Sequence, residues 1–248
     1  MYLYIYDSFL NDKKYTDLLI KIEKRVTDLG IKGKIARLSV LKNMKELITD
    51  GVKDGVETVV AIGDSKTFAK VINIVADLDV TLGLIPVDND NQIAKILGIP
   101  PKVMACDILA SRNIKKIDLG KINNYYFVNT AEIENADVVI EYNDFKVKPE
   151  TTKNRIALYN FAADGISENS NPVDGVLEAV ITPIKSTLLG KKKIEGTILP
   201  FTKIKIDSNA EEQVSILTDH QIITKTPAEI TVVPEKLKII VGSERRFE

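Results

Sequence analysis

The first 116 residues alternate short apolar runs with segments of helical period, a rhythm met by a parallel β-sheet flanked by helices. Residues 3–6 read as a strand, and residues 15–29 as a helix whose Leu18, Leu19, Ile22, Val26 and Leu29 share one face, with Gly30 at the C-terminal cap position. A second unit pairs a strand at 34–38 with a helix near 43–53 that carries Met44, Leu47, Ile48 and Val52 and ends at Gly55. The third runs from a strand at 58–62 through a turn at 63–66 into a helix from Thr67, with Phe68, Val71, Ile72 and Val75 turned inward. A fourth strand, 81–85, stops at Pro86.

From about Ile117 strands are closed by Asn and Asp turns, residues that tolerate the positive φ of tight hairpins. Asn123-Asn124 joins 117–122 to 125–128, and Asn143-Asp144 joins 138–142 to 145–147. Later apolar runs at 155–161, 175–184, 193–199, 203–206, 214–217, 229–233 and 237–241 carry almost no helical period. The fold expected is a Rossmann-like N-terminal α/β domain, residues 1–116, followed by an antiparallel β-sandwich domain, residues 117–248, with a ligand cleft between them. Residues 166–172 read as a loop, and Lys191-Lys192-Lys193 as a solvated turn.

Composition narrows the partners. With 34 basic against 35 acidic residues the chain has no net field drawing it to nucleic acid or an anionic membrane, so any such contact must come from local charge. Trp is absent and 7 Phe with 8 Tyr form no series for stacking bases, so no nucleic-acid partner is expected. The single Cys106 excludes an internal disulfide and, with one His220, leaves no Cys/His zinc set; a reducing cytoplasm fits best. The start, Met1 to Asp7, lacks a basic region and meets an acid early, unlike a secretory leader. The apolar stretch 71–87 is interrupted by Asp77 and Asp79, so no transmembrane segment is expected; peripheral membrane contact stays open.

In an open parallel sheet ligands bind beyond the carboxyl ends of the strands, so the turns after Tyr6, Leu38, Ile62 and Ile85 should share one rim. The third, Gly63-Asp64-Ser65-Lys66-Thr67, leads a strand into a helix whose first N–H groups could cradle phosphate; read plainly, it is a strand-to-helix turn capped by Ser65 or Thr67. The fourth, residues 86–92 (Pro-Val-Asp-Asn-Asp-Asn-Gln), begins like a calcium loop. It departs at Ile93, where the bend needs Gly, and at Ile99, where Glu is needed, leaving at most a surface magnesium site or an acidic cap for a helix from Gln92.

Taken together these pieces resemble the diacylglycerol kinase catalytic-domain family of soluble lipid kinases. Residues 59–73 lie without a gap on that family's strand, Gly-Gly-Asp-Gly-Thr motif and helix; 82–100 lie on its Pro-Leu-Gly-Thr-Gly-Asn-Asp-Phe-Ala segment and the Leu-Gly-Ile-Pro that follows. Ile117-Asp-Leu-Gly120 with Tyr126-Phe-Val-Asn129 looks like the crossing into the sandwich, and Asp174-Gly-Val-Leu177 with residues 219–241 looks like the closing strands. NAD kinase has a similar glycine-rich motif and sandwich, but these last stretches look more like the lipid kinases.

The resemblance implies ATP-dependent phosphoryl transfer to a lipid hydroxyl with Mg²⁺, nucleotide contacts from Ser39, Gly63, Ser65, Lys66, Thr67 and Asn91, and a base in an Asp-Gly-Glu motif. The chain departs where the chemistry lies. Asp64, Ser65 and Lys66 replace Gly, Asp and Gly; Asp88 and Asp90 replace two glycines; Gln92 replaces an Asp; and the Asn-Pro expected after the first strand is missing at Tyr6-Asp7-Ser8. Asp219, His220 and Gln221 stand for Asp-Gly-Glu, and Gln221 cannot take a proton, which removes about 10²- to 10⁴-fold in rate. His220 and Asp219 are the remaining titratable groups of that motif. Two functions follow as expectations: a weakened lipid kinase, or an inactive relative that binds nucleotide or lipid or acts as a scaffold.

Overall fold

The computed structural model describes residues 1–39, 43–134, 137–161, 170–184 and 196–247. The chain forms two compact units, Met1–Ile117 with Lys236–Glu248, and Asp118–Glu235.

The first unit is built from β1 (Tyr2–Tyr6), α1 (Thr16–Asp28), β2 (Lys34–Arg37), α2 (Met44–Lys53), β3 (Thr58–Gly63), α3 (Ser65–Val75), β4 (Thr81–Pro86), α4 (Gln92–Ile96) and α5 (Ala105–Ser111). Its strands run parallel in the order β2-β1-β3-β4, with Tyr4 opposite Val60 and Ile35, and Val60 opposite Gly83. Every residue of β3 and β4 is buried, as strands covered by helices on both faces must be. The helical faces read from period hold: α1 buries Leu19, Ile22 and Val26, and α3 buries Phe68, Val71, Ile72 and Val75. β2 stands at the edge, with Lys34, Ile35 and Arg37 exposed.

The second unit contains β5 (Ile114–Ile122), which enters it from the first, then β6 (Tyr125–Phe127), β7 (Thr130–Glu134), β8 (Val138–Tyr142), β9 (Phe145–Val147), β10 (Asn154–Tyr159), β11 (Leu177–Pro183), β12 (Thr197–Phe201), β13 (Lys203–Ser208), β14 (Ser215–Thr218), β15 (Ile222–Lys225) and the first part of β16 (Ala228–Ile240). One antiparallel sheet runs β12-β11-β10-β7-β14-β15; β16-β13-β8-β9 and the β5–β6 hairpin form the other layer. Phe127, Ile133, Ile140, Ile156, Leu158, Phe201, Ile206 and Ile230 from both fill one core, so the unit is a β-sandwich. Asn123 and Asn143 take φ of 50° and 51° at the two hairpin turns, the conformation their residue type suggested.

The end of the chain departs from the reading. Residues 229–233 and 237–241 read as two separate sandwich strands. They form one strand, β16, in which Glu235 takes φ 49°. Its last part leaves the sandwich and pairs parallel with β4, Lys238 opposite Thr81 and Ile239 opposite Leu82, burying Leu237, Ile239, Ile240 and Val241. An apolar run announces burial but not which sheet edge it will cover, so the reading gave all of 117–248 to the sandwich. Of residues 166–172 the structure describes 170–172, where Pro172 is buried and its carbonyl accepts from Asp118 N at 2.6 Å; Lys191 to Lys193 lie outside the described residues.

Candidate functional site

Two turns meet at the carboxyl rim of the first unit's sheet. Asp7 N donates to Ile62 O at 3.2 Å, and Val87 N to Gly63 O at 3.1 Å, so the segments after β1 and β4 flank Gly63. The sequence places the helix start at Thr67 with Ser65 or Thr67 as cap. Instead α3 begins at Ser65 and Asp64 is the cap. Thr67 N donates to Asp64 Oδ1 at 2.9 Å and Asp64 N donates back to Thr67 Oγ1 at 3.3 Å, a closed capping box; carboxylates excel here because they complement the positive helix end.

The Thr67 hydroxyl donates its one proton to Asp7 Oδ2 at 2.7 Å, tying the turn after β1 to the start of α3. Thr67 is fully buried. A Cβ on Gly63 would lie 2.2 Å from Thr67 Oγ1 and 2.6 Å from its Cβ, so this glycine is required by the packing of Thr67. Ser65 is half-buried in the first helical turn and Lys66 is exposed. Asn91, nearly fully buried, caps α4 by accepting from Ala94 N at 3.1 Å, and its Nδ2 lies 3.5 Å from Asp88 Oδ1. Asp90 pairs with Lys95. Ser39 is exposed beyond β2. Gly63, Ser65, Lys66 and Thr67 thus share one turn beside Asp7. Asp7 was absent from the expected site; its signal was an acid where the resemblance calls for Asn.

In the second unit Asp219 is buried, and its carboxylate accepts three backbone N–H groups: Val128 at 2.8 Å, Asn129 at 2.8 Å and Thr130 at 3.0 Å. Burial pushes its pKa up while the three donors pull against it. The side chain holds the turn between β6 and β7. His220 is about half exposed, with Nε2 3.7 Å from Glu132 Oε1, and Glu132 is itself held by Arg155 Nη2 at 2.9 Å. Gln221 Oε1 is buried and has no hydrogen-bond partner among the described residues.

Asp219 and His220 both lie in the left-handed region, at φ 46° and 55°. That conformation costs a non-glycine residue about 1–2 kcal/mol. The glycine of the Asp-Gly-Glu pattern therefore has a backbone reason, and His220 occupies its place under strain. His220→Gly should stabilise the protein by about 0.5–1 kcal/mol in urea unfolding, after glycine's own entropic cost. A destabilised variant would show that the imidazole contributes more than its strain removes.

Asp118 and Asn160, missed by sequence reasoning, are fully buried organisers. Asp118 accepts from Gly175 N at 2.7 Å and Glu235 N at 2.8 Å, and Asn160 Nδ2 donates to Asp118 O at 2.9 Å and Val128 O at 2.8 Å. No periodicity marks such residues. Cys106 is buried and its thiol pKa is pushed up to about 11 by burial, so it is no nucleophile. Among the described residues no group of three or more His, Cys, Asp or Glu side chains is placed to hold a metal ion, the acidic turn 88–90 included.

The fold comprises an α/β unit, with a strand–turn–helix passage from β3 through Gly63 and Asp64 into α3, and a β-sandwich unit. Residues 2–122 match the family model "Diacylglycerol kinase catalytic domain", and over that stretch the chain is similar to that family. A diacylglycerol kinase of Bacillus subtilis strain 168 is 38% identical over 79 residues, 30% of this chain and 26% of its own length. One of Staphylococcus saprophyticus is 27% identical over 118 residues, 46% of this chain and 37% of its own length, so these alignments span well under half of either relative. A crystal structure of a diacylglycerol kinase from Bacillus anthracis strain Sterne superposes with a TM-score of 0.79 over 98% of this chain and 97% of that one, at 19% identity.

Proposed function

We propose that this protein keeps the lipid-kinase fold but has lost phosphoryl transfer from ATP, and serves as a non-catalytic member of its family. The observation that carries the reading is the closed capping box: the Asp64 carboxylate already takes the Thr67 N–H at 2.9 Å, at the helix end where a nucleotide phosphate would need it. The Thr67 hydroxyl is committed to Asp7, and Asp88 and Asp90 add negative charge on the neighbouring turn. These residues do not fit a triphosphate. Gln221 stands at the position of the base.

ATP should therefore bind at about millimolar affinity or weaker by calorimetry, with or without Mg²⁺, and transfer to diacylglycerol should stay at background. Replacing Asp64→Gly, Ser65→Asp and Lys66→Gly together should tighten ATP by tenfold or more. Saturable micromolar binding by the unaltered protein would overturn the reading. A second reading, a weak kinase using His220 as base, is favoured by Glu132 lying 3.7 Å from its imidazole. That enzyme would lose activity on His220→Ala while keeping lipid binding.

A further inference from the structure

The first unit carries a groove that the phosphate turn does not account for. Its volume is about 540 Å³, and it lies among the end of α4, residues 98–101, α5 and residues 243–246, all within that unit. None of its lining residues belongs to the Gly63–Thr67 turn. Backbone builds one wall: Gly242 N donates to Leu97 O and Arg246 N to Ile96 O, both at 2.9 Å. Two glycines let these segments approach. A Cβ on Gly242 would lie 1.8 Å from Gly98 O, and one on Gly98, at φ 67°, would lie 2.4 Å from Arg245 N. The groove is therefore preformed, and its volume falls in the range of about 300–1,000 Å³ usual for small-molecule sites.

We propose that this groove binds a small organic monocarboxylate with an apolar body. Ile99, Pro100, Pro101 and Ile108 supply a largely aliphatic lining in which the two proline rings are rigid. Met104, 63% exposed, adds an unbranched thioether that can adapt to the outline of a ligand. Lys95 and Arg246 bring two cations to the described lining and Glu244 one acid, with the Ser243 hydroxyl beside them. That balance suits one negative charge. A phosphate, with nearly two at pH 7, would meet Glu244, and an amine would meet both cations. Lys95 also pairs with Asp90 outside the groove, a solvent-exposed contact of little strength. Arg246 is therefore the main anchor, since a guanidinium has five N–H donors and can offer two of them to a carboxylate while keeping a protein partner.

The test titrates the whole chain with 4-phenylbutanoate, its neutral counterpart 4-phenylbutan-1-ol, and inorganic phosphate, reading backbone amide shifts by NMR. The acid, with about 12 non-hydrogen atoms, should bind with a Kd of about 1 mM or tighter and shift Gly98, Ile99, Met104, Ile108 and Ser243. The alcohol should bind about 5- to 10-fold more weakly at the same residues, and phosphate should give no saturable shift there up to about 10 mM. Arg246→Gln should weaken the acid by about that factor and leave the alcohol unchanged. Met104→Ser, at an exposed side chain that the fold does not need, should weaken both probes by about threefold. Shifts confined to other residues, an alcohol that binds as tightly as the acid, saturable phosphate binding in the groove, or unchanged acid affinity in both variants would each overturn the proposal. None of these readouts lies at the Gly63–Thr67 turn, so the outcome is separate from whether ATP binds or transfer is lost.

Discussion

Asp219→Ala should cost roughly 3–6 kcal/mol of stability, enough to unfold the β6–β7 turn or the sandwich with it. The carboxylate accepts from Val128, Asn129 and Thr130 at 2.8, 2.8 and 3.0 Å, and it is buried. Removing it leaves three backbone donors without partners, those of Val128 and Thr130 buried and that of Asn129 partly so, at about 1–3 kcal/mol for each buried group. Asp219→Asn should fall between, because the amide oxygen can still accept while its NH₂ faces a donor. The measurement is urea unfolding, supported by hydrogen exchange at Val128, Asn129 and Thr130, whose amides should lose protection first. An alanine variant within about 0.5 kcal/mol of the parent would mean that the turn holds itself. It would also return Asp219 to consideration as a chemical group.

The contrast between what was legible in the sequence and what was not follows from the range of the forces involved. Period fixed the faces of α1 and α3 because burial acts residue by residue along one helix: Ile22 and Phe68 are inward wherever the helix packs. Asn123 and Asn143 marked their turns because φ is a local property. Asp219 is different. Its three partners lie about ninety positions away, so no spacing in the sequence distinguishes a structural acid from a catalytic one. β16 was misjudged for the same reason, since pairing with β4 joins residues 239 and 82. At the rim, the motif's position was legible through resemblance, but its occupation by Asp64 was not, because the same carboxylate could have pointed to solvent.

Gly63→Ala should destabilise the protein by about 2–4 kcal/mol, and the reason bears on function. The new Cβ would lie 2.2 Å from Thr67 Oγ1, 2.6 Å from its Cβ and 2.8 Å from its Cγ2, so Thr67 must move. Moving it breaks the bond to Asp7 and the reciprocal bonds to Asp64 that start α3. If the clash is the cause, Gly63→Ala should cost much less when Thr67 is already glycine, with a coupling of about 1–3 kcal/mol in a double-mutant cycle read by urea unfolding. Of the five residues that lie on the Gly-Gly-Asp-Gly-Thr pattern, Gly63 and Thr67 are the two that match it, and they are the two that pack on each other. The three it has changed are Asp64, now the helix cap, Ser65 in the first turn, and Lys66 facing solvent. Such a division is expected where folding still constrains a motif and phosphate binding no longer does. A Gly63→Ala variant that stays stable, or a cost unchanged by Thr67→Gly, would mean that the packing of Thr67 does not require this glycine, which would weaken the non-catalytic reading.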